Sequence, residues 1–328
     1  GFELLKLAHL ELAEIGDFRQ VPLFAQAFQN FAEAGFAVRA VDRSPEQLQR
    51  GKAQLASSLR LAQEEGLIAD PEAVLGRVSV YFFDDLADAT EGAQLVVETV
   101  PEVLEIKKEV FAALDGLPRD VLIGSNTSSF TVSQMTGEMA TPERVVGLHY
   151  FNPAHLIPAV EVHHGEATDP AAIDAVIAVM ERAGKVPVRV RKEVPGFIIN
   201  RLTGALEREV DFLLDNGVVT PEDLDAAVRA SFGFRLACLG PMEAEDFIGL
   251  DTSWRVSNNV FKGLSNADKA SPDLGEKVER GELGVKSGKG WYDYAGRTTE
   301  DIYAERDRKL MRQLAVYRSN NPSTGDNS

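Results

Sequence analysis

Cysteine is nearly missing: Cys238 stands alone in 328 residues, so no internal disulfide can form and a reducing compartment suits the chain. Basic residues are also short, 34 Lys and Arg against 51 Asp and Glu. The resulting formal charge of −17 argues against nucleic acid or an anionic membrane face as partner. No run approaches the roughly 18 apolar residues of a membrane helix. The opening Gly1-Phe2-Glu3-Leu4-Leu5-Lys6 lacks the basic start, long apolar stretch and small-residue cleavage site of a secretory leader. The cytoplasm is the expected location, and a start on Gly1 rather than Met hints at a chain trimmed or built without its native start. No internal repeat is present. What remains is globular in character: the apolar content of 44% is ordinary, and the length accommodates two domains with a sizeable core.

The first half alternates strand-like and helix-like segments. Phe36 to Asp42 reads as a short strand, and Ser44-Pro45-Glu46-Gln47 then supplies an N-cap, a proline at the first helical position and a capping-box residue. Leu48, Leu55, Leu59 and Ala62 fall near one face of the helix that should follow, with Gly66 as its stop. Further strands are expected at Val78–Tyr81, Leu95–Glu98, Val121–Gly124, Val145–Tyr150 and Val186–Val190, the last at a sheet edge because of Pro187. This order predicts an α/β, doubly wound Rossmann-type domain over residues 1–192. From Pro195 onward apolar residues recur at helical spacing, and Thr220-Pro221-Glu222-Asp223 repeats a helix-start signature. An all-helical dimerisation and substrate domain is expected over 193–297. Residues 298–328 read as a charged terminal helix followed by a disordered tail of Asn, Ser, Pro and Gly.

Two segments carry the chemistry. Val121 to Gly124 ends in Ser125-Asn126-Thr127-Ser128-Ser129, and Arg144 to Leu148 ends in His149-Tyr150-Phe151-Asn152-Pro153. Ligands of open α/β sheets bind beyond the carboxyl ends of the strands, so polar residues that abruptly end two buried parallel strands are candidates for one cleft. Such a chain reads as an enzyme. These segments, together with Val97–Glu102, Glu105–Phe111, Pro195–Arg201, Gly240–Glu243, Gly249–Asp251 and Lys286–Tyr292, resemble the 3-hydroxyacyl-CoA dehydrogenase family. The likeness runs from about Phe31 to Tyr294.

The resemblance implies oxidation of an alcohol with NAD, as in fatty acid β-oxidation, by a homodimer. That reaction needs a base for the hydroxyl proton and a group that orients the base. His149 is the only histidine that ends an apolar strand pattern; His9 lies in the aberrant amino terminus, His155 follows in the loop, and His163-His164 close the next apolar segment. The family implies His149 as general base with Glu161 as its partner, and Ser128 and Asn200 as residues that hold the substrate and orient the reacting oxygen. Asp42, Glu102, Lys107, Ser128, Asn152 and Lys286 match its cofactor positions, and Ser58 a position near the CoA phosphates. An acid at Asp42 favours NAD over NADP, although Arg43 follows it. Each residue also has a structural reading. His149 and Glu161 could be a hydrogen-bonded core pair, Ser128 a loop cap, Asn200 a helix cap, and Lys107 and Lys286 solvated surface charges. No metal site is expected.

One block departs from the family. The G-x-G-x-x-G turn that cradles the pyrophosphate should occupy residues 19–24, where the chain has Arg19-Gln20-Val21-Pro22-Leu23-Phe24 and none of the glycines. The helical face Phe24, Phe28 and Phe31 persists. A replaced segment, a diverged cradle in which Arg19 meets the phosphate charge, and a non-catalytic descendant like the lens crystallins are three accounts of it. Substrate is similarly open. Short-chain 3-hydroxyacyl-CoA, of the 3-hydroxybutyryl type, is the family expectation, but Glu64-Glu65-Gly66 falls where a lysine near the CoA phosphates is expected. Arg235 in Phe232–Ala237 looks like relatives that act on small hydroxy acids such as gulonate or on carnitine.

Overall fold

A computed structural model describes the backbone of residues 3–8 and all of residues 29–321. The glycine-less block at 19–24, with Phe28 beyond it, and the last residues of the expected tail lie outside the described residues. Contacts divide the chain into two compact units, Gly1–Arg201 with Asp307–Leu314, and Leu202–Arg306 with Ala315–Ser328.

The first unit is built on one eight-stranded sheet. Its strands are β1 (Glu3–Ala8), β2 (Ala37–Asp42), β3 (Val78–Phe82), β4 (Leu95–Glu98), β5 (Leu122–Ser125), β6 (Val145–Tyr150), β7 (Ala159–His164) and β8 (Val186–Arg189), in the order β3-β2-β1-β4-β5-β6-β7-β8. All neighbours are parallel except β6 and β7. The order reverses between β1 and β4, the switch point at which doubly wound folds bind nucleotides. Two strands were not anticipated. β1 lies well upstream of the place implied by a turn at 19–24, and pairs with both β2 and β4. β7 escaped notice because Glu161, His163 and His164 interrupt its apolar pattern, yet it is buried along most of its length. Pro187 lies in β8, at the edge of the sheet, where a missing N–H is tolerated.

Helix α1 (Pro45–Glu64) forms because Ser44 accepts a hydrogen bond from the Gln47 N–H, Pro45 fits the first turn, and Leu48, Leu55, Leu59 and Ala62 are all buried on one face. It stops at Gly66, whose φ of +75° lets the Leu67 N–H return to the Ala62 carbonyl. With α3 (Pro170–Arg182) it covers one face of the sheet, burying Leu95, Val97, Val146, Leu148, Val160 and Val162. Helix α2 (Leu104–Asp115) covers the other face, against Val96, Ile123 and Val145. Alternation along the strands then assigns Gly147 and His149 of β6, and Glu161 and His163 of β7, to the α2 face.

The last helix, α7 (Thr299–Asn320), returns to this unit over Asp307–Leu314. Met311 and Leu314 are buried against Ala62 and Leu156. Arg308 reaches Glu64 at 3.1 Å, and Arg312 holds Glu65 through two bonds of 2.9 and 3.1 Å.

The second unit is helical, with α4 (Ile199–Asp215) leading in from the first unit, α5 (Pro221–Ala230) and α6 (Leu250–Val260) among its helices. Thr220 caps α5 by accepting from the Asp223 N–H. Outside the named strands the described residues carry the isolated bridges Gly284–Lys289 and Lys289–Asp293. Among the described residues no helix is long and apolar enough to cross a membrane.

Candidate active site

The antiparallel register of β6 and β7 sets His149 directly opposite Glu161. Their side chains meet on the α2 face, His149 Nδ1 at 2.6 Å from Glu161 Oε2, with exposures of 6% and 0%. An isolated carboxylate buried so deeply would be very costly, and this one has three partners. Its other oxygen accepts the backbone N–H groups of Ile198 and Ile199 at 2.8 and 2.9 Å. Burial alone would raise the Glu161 carboxyl, but the bonds from His149 and the two amides outweigh it and hold it below the ordinary carboxylate value. Glu161 is thus an anion that fixes the orientation of the ring. Because Nδ1 faces Glu161, Nε2 is the ring nitrogen left to meet a substrate. Phe151 and Phe197 flank the imidazole, with ring centroids 4.7 and 5.6 Å away.

A second cluster lies at the ends of β4 and β5. Glu102 gathers the loop after β5: Thr127 Oγ1 donates to it at 2.7 Å, the Ser128 and Ser129 N–H groups at 2.9 and 2.8 Å, and Ser129 Oγ at 2.8 Å. Desolvation works against its charge, but Lys107 and the Thr127 and Ser129 bonds prevail and bring it down to about 2. Lys107 in turn lies fully buried, bonded to both oxygens of Glu98 at 3.0 Å, to the Asn126 carbonyl at 3.2 Å, and 3.4 Å from Glu102. Glu98, which also accepts from Ser125 Oγ at 2.6 Å and the Val100 N–H, is pushed up by burial despite Lys107. The surface-lysine reading of Lys107 is therefore wrong, and its ammonium is committed to protein groups. It holds Glu102 and Asn126 in place.

The two clusters join. Asn200 Nδ2 donates to the Ser128 carbonyl at 3.3 Å, and Asn200 follows directly on Ile199, one of the amides on Glu161. His149, Glu161, Asn200, Ser128, Glu102 and Lys107 thus form one bonded network, with Ser128 and Asn200 exposed at its surface. Asn152 is exposed in the loop after β6, joined to Pro153 by a cis peptide bond. Three further expected residues are on other elements. Asp42 ends β2, buried, with Oδ1 accepting the Ser44 N–H at 2.8 Å. Ser58 lies on α1 with its hydroxyl enclosed, and Lys286 is exposed in a turn of the second unit. Sequence reading missed Glu98 and Phe197. An acid at the end of the apolar run Leu95–Val97 was the signal for Glu98; nothing local marks Phe197, the only non-glycine among the described residues with positive φ, at 48°.

Comparison with known proteins assigns this arrangement. The model of the family "3-hydroxyacyl-CoA dehydrogenase, NAD binding domain" matches residues 25–194, and that of its C-terminal domain matches residues 196–294. The chain belongs to the 3-hydroxyacyl-CoA dehydrogenase family. It is 39% identical over 281 residues to 5-formyl-3-hydroxy-2-methylpyridine 4-carboxylate 5-dehydrogenase of Mesorhizobium japonicum, covering 85% of this chain and 90% of that one. It is 33% identical over 275 residues to a probable 3-hydroxybutyryl-CoA dehydrogenase of Bacillus subtilis, covering 83% and 93%. A solved structure described as that pyridine dehydrogenase, an NAD+-dependent dismutase, matches with a TM-score of 0.83 at 34% identity, covering 98% of this chain and 99% of that one. As a member of this family the chain is an NAD-dependent dehydrogenase. The described residues fit that cofactor: the sheet order supplies the switch point, and Asp42 holds a carboxylate at the end of β2.

Proposed function

We propose that this dehydrogenase oxidises the hydroxyl of a short-chain L-3-hydroxyacyl-CoA, with 3-hydroxybutyryl-CoA as reference substrate, to the 3-ketoacyl-CoA. The observation that carries the reading is the buried 2.6 Å pair of His149 and Glu161 bonded through Asn200 to the Ser128 loop. His149 Nε2 takes the hydroxyl proton as the carbonyl forms. Glu161, held as an anion, steadies the imidazolium and keeps Nδ1 as the donor toward itself. Ser128 and Asn200 present short polar groups that orient the reacting oxygen without competing for its proton. Glu102, with Lys107 behind it, keeps the Ser128 loop from drifting, which preserves the alignment that the reaction requires. Asp42, Glu102, Ser128 and Asn152 are the residues proposed to hold NAD, which when bound would supply the acceptor for the hydride that leaves the carbinol carbon.

A second reading concerns the substrate alone. The likeness to the pyridine carboxylate dehydrogenase extends over 98% of the chain, past residue 294 where the family models stop, and so takes in α7. Glu64 and Glu65, which α7 binds, also offer no cation to the phosphates of CoA. A small hydroxy or formyl acid would then replace the thioester, with Arg235 as a group suited to its carboxylate. NADH formation with 3-hydroxybutyryl-CoA, compared with the formylpyridine carboxylate, gulonate and carnitine, decides between them. Turnover of the CoA ester at least tenfold above the free acids is expected on the first reading, and the reverse order overturns it.

The second unit supports a homodimer. Phe234, Phe247, Trp254, Phe261 and Met242 are each 66–75% exposed, more large apolar surface than a single soluble chain ordinarily leaves in water. A second copy of this chain is the proposed cover.

A further inference from the structure

His163 has no part in the reaction as derived, yet it lies in β7 two residues beyond Glu161, on the same face of the sheet. It is fully buried, and neither ring nitrogen has a hydrogen-bond partner among the described residues. Enclosing an unpaired imidazole is unfavourable, so its place calls for an explanation in what the ring touches. On one side is Gly147, its register partner on β6. A Cβ added at Gly147 would fall 2.0 Å from the imidazole, so the ring occupies the space a side chain there would take. On the other side is the Phe197 ring, stacked at a centroid distance of 4.0 Å and an angle of 28°.

Phe197 connects this slot to the chemistry. It is buried, it touches His149, and its backbone is left-handed at φ 48°, a conformation unfavourable for a bulky residue unless its surroundings impose it. The turn so formed delivers the next two N–H groups, those of Ile198 and Ile199, to Glu161. We propose that His163 is a positioning residue: its flat ring, wedged between the Gly147 backbone and Phe197, holds the Phe197 turn that aims the Ile198 and Ile199 amides at Glu161 and thereby fixes the His149–Glu161 pair. The ring acts by shape and stacking, not by its nitrogens. Burial first, and the neighbouring His149 second, push it down to about 3, so it stays uncharged when His149 takes up a proton. The slot takes a flat ring, which imidazole supplies and a phenyl ring of the same thickness would also supply.

The inference rests on the assignment of His149 and Glu161, and its test separates the two. Kinetics are measured on the full chain with the substrate that the NADH assay selects. His163→Ala is expected to lower kcat about tenfold or more with KM for NAD changed less than twofold, and Phe197→Leu to do the same. Gly147→Ala, which evicts the ring, should also lower kcat, and Gly147→Ala with His163→Ala should be no worse than the poorer single variant, because both act through one slot. His163→Phe should recover most of what His163→Ala loses. Wild-type kcat in His163→Ala, additive losses in the double variant, or a His163→Phe enzyme as slow as His163→Ala would each overturn the proposal. His149→Ala serves as the reference: if it stays active, the assignment of the base fails, whereas an inactive His149→Ala beside an unimpaired His163→Ala overturns the positioning role alone.

Discussion

At the scale of single residues, the site is a set of charges whose burial is met by specific partners. His149→Ala should lower kcat by about 10²–10⁴-fold while the chain still folds and binds NAD nearly as the parent does; a variant keeping more than about a tenth of kcat would remove His149 as the base. Glu102 gives a pH signature. Its folded value of about 2 lies below the ordinary 4.5, so the stability it adds is fully present above pH 4.5 and is lost as pH falls through 4.5 toward 2. The side chain is 31% exposed, and with that screening the contribution is on the order of 1–2 kcal/mol. Urea unfolding at pH 6 and pH 3 should show the parent losing more stability than Glu102→Gln by roughly half that amount; equal losses would contradict the assignment. For the cofactor, Arg19→Gly, Val21→Gly and Phe24→Gly with Pro22 replaced should tighten NAD by at least about 2 kcal/mol, roughly thirtyfold, by calorimetric titration. Tight binding by the unaltered chain would show that Arg19 or another group replaces the glycine cradle.

At the scale of elements, α7 separates apolar from ionic docking. Met311 is buried to 1%, whereas the Arg312–Glu65 pair is largely exposed on the arginine side, at 69%. Met311→Ala should cost about 2–4 kcal/mol in urea unfolding through loss of packing, and Arg312→Ala under about 1 kcal/mol. The opposite order would make the arginines the main attachment. The elements also mark how far the sequence could be read. α1 was legible because Ser44-Pro45, the spacing of Leu48, Leu55, Leu59 and Ala62, and Gly66 agree at every level. β7 was not, because strand signals are hydrophobic and this strand carries Glu161 and His163 on its buried face, where their acceptability depends on β6 and on the Phe197 turn. Lys107 read as equally a ligand or a solvated helix charge for the same reason: its burial depends on Glu98, on a strand brought beside it only by folding. His149 and Glu161 were picked out by motif, but the amides that make Glu161 tenable come from residues 37 and 38 positions further along.

At the scale of the whole molecule, the proposed dimer should appear in sedimentation at micromolar concentration, and Trp254→Asp or Phe247→Asp on the second unit should shift it toward monomer; a monomeric parent chain would contradict it. The sheet carries a different consequence. The reacting pair is set by the β6–β7 ladder, in which His149 faces Glu161 by backbone register, while the segment between those strands, residues 151–158, contributes to neither side of the pairing. A slip of one rung would turn Glu161 to the opposite face of the sheet and abolish the pair at once, and the segment itself is pinned, with Phe151 against the His149 ring and Ala154 and Leu156 buried. The fold thus writes the meeting of base and carboxylate into strand register, so that whatever preserves the ladder preserves the pair.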